Sequence, residues 1–520
     1  MRSTLVSRFL ELTAAHDARI AIHDDEEEVS FAEFGRRAAR VAGALRARGL
    51  SGKRVAMLVT QGSGWVETFF GGVLADATLV PLSHLHPEAE QRWFVDTSGA
   101  SAIVVSNELS ARVAPYAGDR AVLSIEELCT HPEPAEPADS ADDDTAEPAD
   151  SADDDTALIL YTSGTTGKPK GALISHENLA ATARMLASAW EWSAEDTLLH
   201  SLPLHHLHGL GIALFTSLLA GGRTRMLARF DAARLWDAMG EATVLMGVPT
   251  MHKKLLDALD AADRATRARW TANAAHLRLV TSGSAALPTT VGERWRALSG
   301  DYPLERFGMT EIGVGMTNPV HGERRPGSCG RPLPGMQIRI VGEDGADVAP
   351  GESGEIWIRG PGVFKGYDKN DEATREAFTD GWFRSGDTAT WLQGGYAKIL
   401  GRTSVDILKS GGYKLSALEI EEVLREHEAV ADVAVVGLPD DTWGEIAVAA
   451  VIARPGRAGE AAEGPLRAWA KERIAAYKVP KRVVVLDELP RNPVGKVVKP
   501  ELAGIVRERL GAPGQPEGKK

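Results

Sequence analysis

The chain has 520 residues, 43% of them hydrophobic, and a formal net charge of −14. Its length allows several domains around a large buried core, and its acidic charge argues against nucleic acid or an anionic membrane as the main partner. Only two cysteines are present, Cys129 and Cys329, which is too few for a disulfide framework and typical of a reducing compartment. No apolar run reaches membrane-spanning length and no secretory signal is recognisable, so we expect a cytoplasmic protein without a membrane span.

The first part of the chain alternates helix and strand patterns. The N-terminal residues predict an amphipathic helix that leads into a strand. Ser30 and Glu33 have capping-box spacing, which marks the start of a helix predicted over 31–48. Further elements are predicted as a strand, a helix and a strand at 54–60, 64–75 and 78–82. Alternation of this kind predicts an α/β fold with helix-covered, mostly parallel sheets.

A tandem duplication interrupts this pattern. The string AEPADSADDDT occupies 135–145 and is repeated without change at 146–156, and residues 131–157 contain 11 acidic and no basic side chains. This composition predicts an acidic low-complexity insert over 131–157 that forms a disordered surface loop. An interaction tether is the alternative interpretation.

A different unit is predicted near the C-terminus. Its strands and helix are expected at 432–436, 446–452, 463–475 and 481–486. We therefore predict a large N-terminal domain over 1–401, a small mobile α+β domain over 402–505 and a disordered tail over 506–520.

The strand 158–161 runs directly into a loop rich in glycine, hydroxyl and lysine side chains, TSGTTGKPKG at 162–171. Glycines let backbone N–H groups approach an anion, hydroxyls donate hydrogen bonds, and lysine supplies charge for a polyphosphate. The spacing differs from the GxxxxGK[ST] nucleotide loop. A simple turn with solvated lysines is the alternative for such a loop by itself.

The string YTSGTTGKPKG closely resembles the signature loop of adenylate-forming enzymes, which include acyl-CoA synthetases, adenylation domains and luciferases. The resemblance implies ATP as a substrate. The residues that would hold its phosphates are Thr162, Ser163, Gly164, Thr165, Thr166, Gly167 and Lys170.

Further strings match motifs of this family in the family's order. FGMTE at 307–311 resembles the YGxTE motif, so Thr310 would bond a phosphate and Glu311 would hold Mg2+, a hard cation that prefers carboxylate oxygen. Phe307 stands in the place of the usual tyrosine and retains a ring for stacking on adenine. SGSAA at 282–286 resembles the segment that lines the adenine and acyl pocket, which assigns Ala285 to the nucleotide site.

Three further matches lie toward the C-terminus. SGD at 385–387 resembles the ribose-binding motif and implies that Asp387 accepts hydrogen bonds from the sugar hydroxyls. Arg402 would lie near the same ribose. PRNPVGK at 490–496 resembles the catalytic motif of the small domain, so Lys496 is the expected catalytic lysine.

The resemblance implies two reaction steps. A carboxylate is first activated as its AMP anhydride with release of pyrophosphate, and the acyl group then passes to the thiol of coenzyme A. Members of the family rotate the small domain between these steps, which requires a hinge. The position two residues after Arg402 assigns the hinge to Ser404, and Gly411 and Gly412 would leave room for the pantetheine arm of coenzyme A.

Arg306 precedes the FGMTE motif and suggests which acid is activated. An unpaired buried guanidinium is unfavourable beside an alkyl chain, whereas a dicarboxylate would supply its partner. ERFGMTE, SGSAALP, GVPTMHKKLL and LPLHHLHGL are together similar to malonyl-CoA synthetases. By that similarity the acyl pocket would contain His206, Lys254, Ser284 and Arg306, and the substrate would be malonate or methylmalonate.

Other interpretations remain open at this point. Arg306 could instead form an ion pair with Glu305 or with a nearby helix. The enzyme could be a medium-chain fatty acyl-CoA ligase, or an adenylation enzyme that loads a carrier protein.

Overall fold

The computed structural model describes residues 2–15, 18–130, 152–162, 169–410, 413–491 and 496–511. Helices cover two large, mostly parallel sheets, which confirms the predicted α/β fold class, and a separate smaller sheet lies in the C-terminal part. A third sheet in the N-terminal part, entirely antiparallel, was not anticipated. Within the described residues, none of the helices combines the length and apolar character needed to cross a membrane.

The strands of the N-terminal part carry the residues predicted to form the site. In chain order they are β1 (Ile20–His23), β2 (Glu28–Ser30), β3 (Arg54–Leu58), β4 (Thr78–Pro81), β5 (Ala102–Val105), β6 (Ala121–Ser124), β7 (Thr156–Thr162), β8 (Lys170–Ser175), β9 (Thr197–His200), β10 (Arg223–Met226), β11 (Val244–Gly247), β12 (Leu279–Ser282), β13 (Leu304–Met309), β14 (Gly313–Thr317), β15 (Arg331–Pro332), β16 (Gln337–Val341), β17 (Ser353–Arg359), β18 (Gly366–Tyr367), β19 (Phe378–Thr379), β20 (Trp382–Trp391) and β21 (Ala397–Arg402).

The helices of this part cover the sheet faces. They are α1 (Thr4–Ala15), α2 (Phe31–Ala47), α3 (Ser63–Leu74), α4 (Glu88–Ser98), α5 (Ser110–Ala117), α6 (Ile125–Cys129), α7 (His176–Ala189), α8 (Phe215–Leu219), α9 (Ala232–Ala238), α10 (Pro249–Ala261), α11 (Arg264–Ala274), α12 (Thr289–Ser299) and α13 (Asp371–Ala377). Helix α8 continues a π-helical segment at His208–Leu214.

Both large sheets have a parallel centre; the nine-stranded sheet has antiparallel pairs at both edges, and the seven-stranded sheet has them only at the β18 edge, because β6 is parallel to β5. The nine-stranded sheet has the order β15-β14-β13-β12-β11-β9-β10-β1-β2, and the seven-stranded sheet has the order β18-β8-β7-β4-β3-β5-β6. The antiparallel sheet runs β16-β17-β20-β19, with β21 added beside β20. The main hydrophobic core draws its residues from both large sheets and from helices α1, α2, α3 and α7. Burial on this scale is the main term that offsets the entropy of ordering so long a chain.

The C-terminal part is one mixed sheet with helices. Its elements are β22 (Ile407–Ser410), β23 (Tyr413–Ser416), α14 (Ala417–Arg425), β24 (Val430–Asp440), β25 (Gly444–Ala453), α15 (Glu463–Lys471), β26 (Arg482–Leu486) and α16 (Lys499–Arg509). Its strand order is β23-β22-β25-β24, with β26 parallel to β25. The elements predicted here and in the first part of the chain are all present, with some ends shifted.

Three predicted details need correction. Ser30 caps α2 as expected by accepting from the Glu33 N–H, but the Glu33 carboxylate pairs with Arg36 and Arg37 instead of closing the capping box. The acidic insert ends earlier than predicted, because β7 begins at Thr156 and Asp153 already accepts a hydrogen bond from the Thr4 N–H at 2.6 Å. Most of the insert lies outside the described residues.

The predicted tail also starts too early. Helix α16 continues to Arg509, with Leu502 and Val506 fully buried against the small sheet. The apolar spacing of these two residues, one helical turn apart, keeps this segment packed.

A buried ion cluster ties α16 to the turn that connects the two parts of the chain. The Lys499 ammonium lies 2.5 Å from the Asp406 carboxylate and 2.8 Å from the Glu421 carboxylate. Asp406 also accepts from the Arg402 N–H at 2.9 Å, at the end of β21. All three charged side chains are at most about one-eighth exposed, so the two carboxylates depend on the Lys499 ammonium for neutralisation, and the ammonium depends on them.

The Lys499→Met substitution should therefore leave two buried carboxylates without their cation. We expect the free energy of unfolding to fall by about 3 kcal/mol, the usual scale for breaking a buried ion pair. Urea denaturation followed by tryptophan fluorescence measures the change. The matched control is Lys471→Met, which removes an exposed lysine from α15 and should have almost no effect. Equal stability of the two variants would contradict this assignment.

Candidate active site

The predicted site residues lie mainly at the carboxyl ends of parallel strands, where open α/β sheets bind ligands. Strand β12 leads into Gly283 and Ser284, β13 leads into Thr310 and Glu311, and β7 leads into the phosphate loop. Ser163, Gly164, Thr165, Thr166 and Gly167 lie outside the described residues. The base of their loop is described: Thr162 and Lys170 are antiparallel partners on β7 and β8.

Glu311 is a buried carboxylate close to two cations. Its Oε1 accepts a hydrogen bond from the Tyr367 hydroxyl at 3.0 Å. Burial raises the pKa of Glu311, while the Tyr367 hydrogen bond and the charges of Arg402 and Lys170 act in the opposite direction. A buried carboxylate in this setting suits a hard cation, so Glu311 fits a Mg2+ ion. Thr310, beside it, is partly exposed.

Asp387 and Arg402 face each other because they are paired across β20 and β21. The Arg402 Nε lies 3.3 Å from the Asp387 carboxylate. Burial raises the pKa of Asp387 to about 6, and the Arg402 charge opposes this shift. Two residues fifteen positions apart in sequence are thus brought into contact by the register of one hairpin.

Lys496 reaches this site from the C-terminal part. Its charge acts on Asp387 and His206, and the Arg306 charge acts on Lys496, so its ammonium lies within electrostatic range of the predicted nucleotide and acyl residues. Part of the residue is exposed, yet desolvation of its ammonium, together with the Arg402 charge, lowers the pKa of Lys496. The catalytic-motif segment 492–495 lies outside the described residues.

Arg306 is a buried cation with unpaired donors. Its side chain lies on β13, the residue is 6% exposed, and its Nε and Nη2 have no hydrogen-bond partner in the described part of the chain. Burial alone accounts for the lowering of its pKa to about 10. The guanidinium packs on Gly283, where a Cβ would lie 2.4 Å from the Arg306 Cζ. Any side chain at position 283 would displace it.

The alternative of an ion pair between Arg306 and Glu305 does not hold. Glu305 accepts from the Gly327 N–H at 2.8 Å, and burial raises the pKa of its carboxyl to about 8. The Arg306 pKa shows no influence of this neighbour. Successive residues of a strand point to opposite faces, which explains why the two side chains do not meet.

Ser284 and His208 lie close to Arg306, whose charge acts on His208 and whose guanidinium packs on Gly283, next to Ser284. The Ser284 hydroxyl and the His208 Nδ1 lie 3.2 Å apart, and Ser284 adopts a positive φ of 68° that is unusual for serine. The His208 Nε2 has no partner within the described residues. Burial, followed by the Arg306 charge, holds the pKa of His208 well below its usual value, so the ring is neutral at pH 7. His206, the histidine predicted here, is also buried, which lowers its pKa to about 4.

His208 is a pocket residue that the sequence interpretation did not select, although it stands in the same string LPLHHLHGL as His206. Only its contact with Ser284 distinguishes it from its neighbours. The sequence interpretation also missed Tyr367 as a site residue, because no motif near it predicts a hydrogen bond to a residue as distant in the chain as Glu311.

Lys254 does not join this group. It is exposed on α10, and its Nζ lies 5.9 Å from the centre of the Phe230 ring. This position does not support the predicted contact with a substrate carboxylate. Of the two residues predicted in the adenine region, Phe307 is buried and Ala285 is exposed beside Ser284.

The predicted hinge residue, Ser404, is exposed in the turn between β21 and β22. Gly411 and Gly412 lie outside the described residues. Just beyond them, Tyr413 is 54% exposed and stacks on Tyr477 with ring centres 4.4 Å apart. Trp443 is also exposed, with the Lys481 Nζ 4.0 Å from its ring centre.

Comparison with known proteins agrees with this geometry. The family model for AMP-binding enzymes matches residues 10–368, and that for the AMP-binding enzyme C-terminal domain matches residues 419–496. The mitochondrial malonate–CoA ligase ACSF3 of Mus musculus is 40% identical over 483 residues, which cover 87% of this chain and 82% of that protein. The malonate–CoA ligase of Arabidopsis thaliana is 38% identical, covering 87% of this chain and 78% of its own length.

A solved structure is similar over almost the whole length. The crystal structure of ATP-bound MatB from Rhodopseudomonas palustris has a TM-score of 0.88 and 33% identity, and the match covers 97% of this chain and 99% of MatB. With a family model over well more than half of its residues, the chain belongs to the family of AMP-binding enzymes.

Proposed function

We propose that this protein is an ATP-dependent, AMP-forming acyl-CoA ligase whose substrate is malonate or its methyl derivative. The observation that carries the proposal is the buried Arg306 guanidinium, whose Nε and Nη2 find no hydrogen-bond partner in the part of the chain that the structure describes. Relatives that are malonate–CoA ligases, and the similarity to MatB, support it.

The acid is selected by charge. A buried, unpaired guanidinium is costly, so a ligand that brings a second carboxylate gains a charge-assisted hydrogen bond that an alkyl chain cannot offer. The Ser284 hydroxyl and the neutral His208 ring are hydrogen-bonded to each other close to Arg306, so this pair offers a ligand one further donor, from Ser284 or from His208 according to the tautomer of the ring. A small diacid would place its distal carboxylate on Arg306 and leave the reacting carboxylate toward Lys496, on which the Arg306 charge acts.

The first step joins the reacting carboxylate to AMP. A carboxylate oxygen attacks the α-phosphorus of ATP, and pyrophosphate leaves with the electron pair of the broken P–O bond. Lys170 and Lys496 would offset the charge that develops on the phosphates. Glu311 would hold Mg2+, which supplies further neutralisation of the polyphosphate when bound. Asp387 would accept hydrogen bonds from the ribose hydroxyls, with Arg402 beside it.

The second step transfers the acyl group to coenzyme A. The thiol loses its proton, sulfur attacks the acyl carbonyl, and AMP leaves as a weakly basic phosphate. Since Lys496 occupies the site in the described arrangement, the C-terminal part would turn about Ser404 to admit the thiol. Tyr413, Tyr477, Trp443 and Lys481 would then bind the nucleotide end of coenzyme A by stacking and charge.

The cytoplasmic location remains a proposal. It rests on Cys129 and Cys329, which are both free thiols, as is usual in a reducing compartment. Burial raises the pKa of Cys129 to about 12 and so keeps this thiol unreactive. The mammalian relatives are named as mitochondrial proteins, and fractionation of cells that express this chain would test the location.

Substituting Arg306 by leucine should abolish selection of a diacid. We expect kcat/KM for malonate to fall by at least about 100-fold, because the distal carboxylate of the substrate would be removed from water without a cation to pair with it. The measurement is malonate-dependent AMP formation with ATP and coenzyme A. The matched control is Lys254→Leu, which removes an exposed cation and should change kcat/KM by less than about threefold. An unchanged rate in the Arg306 variant would contradict malonate as the substrate.

Substituting Lys496 by alanine should block the first step selectively. We expect malonate-dependent ATP–pyrophosphate exchange, measured without coenzyme A, to fall by about 100-fold or more. The matched control is Lys481→Ala, which should leave this exchange intact and raise the KM for coenzyme A in the complete reaction. Wild-type exchange in the Lys496 variant would show that the catalytic assignment is wrong.

A further inference from the structure

Tyr367 lies where the two large sheets meet. Its strand, β18, pairs with β8 of the seven-stranded sheet, with Tyr367 opposite Ala172. Three residues earlier, the Phe364 N–H donates to the Glu311 carbonyl at 2.8 Å, next to the turn between β13 and β14 of the nine-stranded sheet. The segment 364–367 is therefore hydrogen-bonded to both sheets.

The Tyr367 side chain contacts one functional residue from each sheet. Its hydroxyl donates to the Glu311 Oε1 at 3.0 Å, and the Lys170 Nζ lies over its ring, 5.2 Å from the ring centre. Lys170 is at the exit of the phosphate loop and Glu311 is the proposed Mg2+ ligand. One rigid aromatic side chain thus fixes the positions of a cation and a carboxylate that approach from different sheets.

Packing alone would not require a tyrosine at this position. The ring contacts Phe364 edge-on with centres 4.9 Å apart, a contact that phenylalanine would make equally well. Among the described residues, the hydroxyl adds the hydrogen bond to Glu311 and the face of the ring adds the contact with Lys170. These two contributions are chemically separable, since phenylalanine removes the first and leucine removes both.

We propose that Tyr367 is a positioning residue that sets the distance between Lys170 and Glu311, and thereby the affinity for the magnesium complex of a nucleoside triphosphate. The hydroxyl acts on the metal side of the ligand through Glu311, and the ring acts on the phosphate side through Lys170. The proposal rests on the proposed function, because it assigns the phosphate and metal roles to those two residues.

The test measures nucleotide binding to the full chain by calorimetry, without acid or coenzyme A, so that no turnover occurs. MgATP is compared with ATP in excess EDTA. For Tyr367→Phe we expect the Kd of MgATP to rise by about tenfold, the effect of losing a hydrogen bond to a charged group. The Kd of ATP in EDTA should stay unchanged. For Tyr367→Leu, both constants should rise, the second by about threefold from the lost contact with Lys170.

The matched control is Tyr396→Phe. The Tyr396 hydroxyl donates to the Glu323 carbonyl at 2.7 Å, and Arg325 and Arg331 both contact its ring, so like Tyr367 it is a tyrosine with one hydrogen bond from its hydroxyl and cation contacts to its ring. It should change neither binding constant. Melting temperatures of the three variants report any general loss of stability.

The outcomes separate this proposal from the proposed function. Suppose that wild-type protein binds MgATP. The positioning role is then wrong if the Tyr367→Phe variant binds MgATP equally well, or if it loses the same affinity for MgATP and for metal-free ATP. If wild-type protein does not bind MgATP at all, the proposed function fails, and this proposal fails with it.

Discussion

The Arg306 guanidinium is a cation held away from water, and within the described residues two of its nitrogen atoms, Nε and Nη2, have no hydrogen-bond partner. Gly283 leaves the space that the guanidinium occupies, and the neighbouring Glu305 points to the other face of the strand, where a backbone N–H holds it. The same burial keeps His208 neutral. The described residues leave two nitrogen atoms of the Arg306 guanidinium without a partner, so a ligand with a second carboxylate binds more favourably than one with an alkyl chain. The proposed preference for a diacid rests on this constraint.

The proposed chemistry is divided among separate structural units. The seven-stranded sheet carries the phosphate loop and Lys170, while the nine-stranded sheet carries Arg306, Thr310 and Glu311. The antiparallel hairpin supplies Asp387 with Arg402 opposite it. Each unit is rigid because its strands are hydrogen-bonded within a sheet, so the relative positions of the groups depend on the joints between sheets. Tyr367 occupies one such joint.

Lys496 is the exception to this rigid arrangement. It enters the site from the C-terminal part, whose sheet is joined to the rest through the exposed turn around Ser404. The Lys499, Asp406 and Glu421 cluster lies just beyond that turn, so these residues would move together with Lys496 if the part rotates. A rotation would withdraw Lys496 and bring another face of the small sheet toward the acyl group. The exposed Tyr413, Tyr477 and Trp443 provide a surface for the proposed coenzyme A contact.

The sequence by itself determined the fold class, the family resemblance and the order of the motifs, because loop composition and apolar periodicity are local properties of the chain. It also pointed to Arg306. It did not determine that Arg306 Nε and Nη2 have no hydrogen-bond partner among the described residues, or that Lys254 faces solvent. Nor did it determine that His208 and Tyr367 adjoin functional groups, since all these facts depend on contacts between residues far apart in the chain. The local sequence pattern also placed the start of the C-terminal tail too early, because it did not show that Leu502 and Val506 pack against a sheet made of distant residues. Only the tertiary structure decides which charges are neutralised, as burial and partners arise from packing between elements.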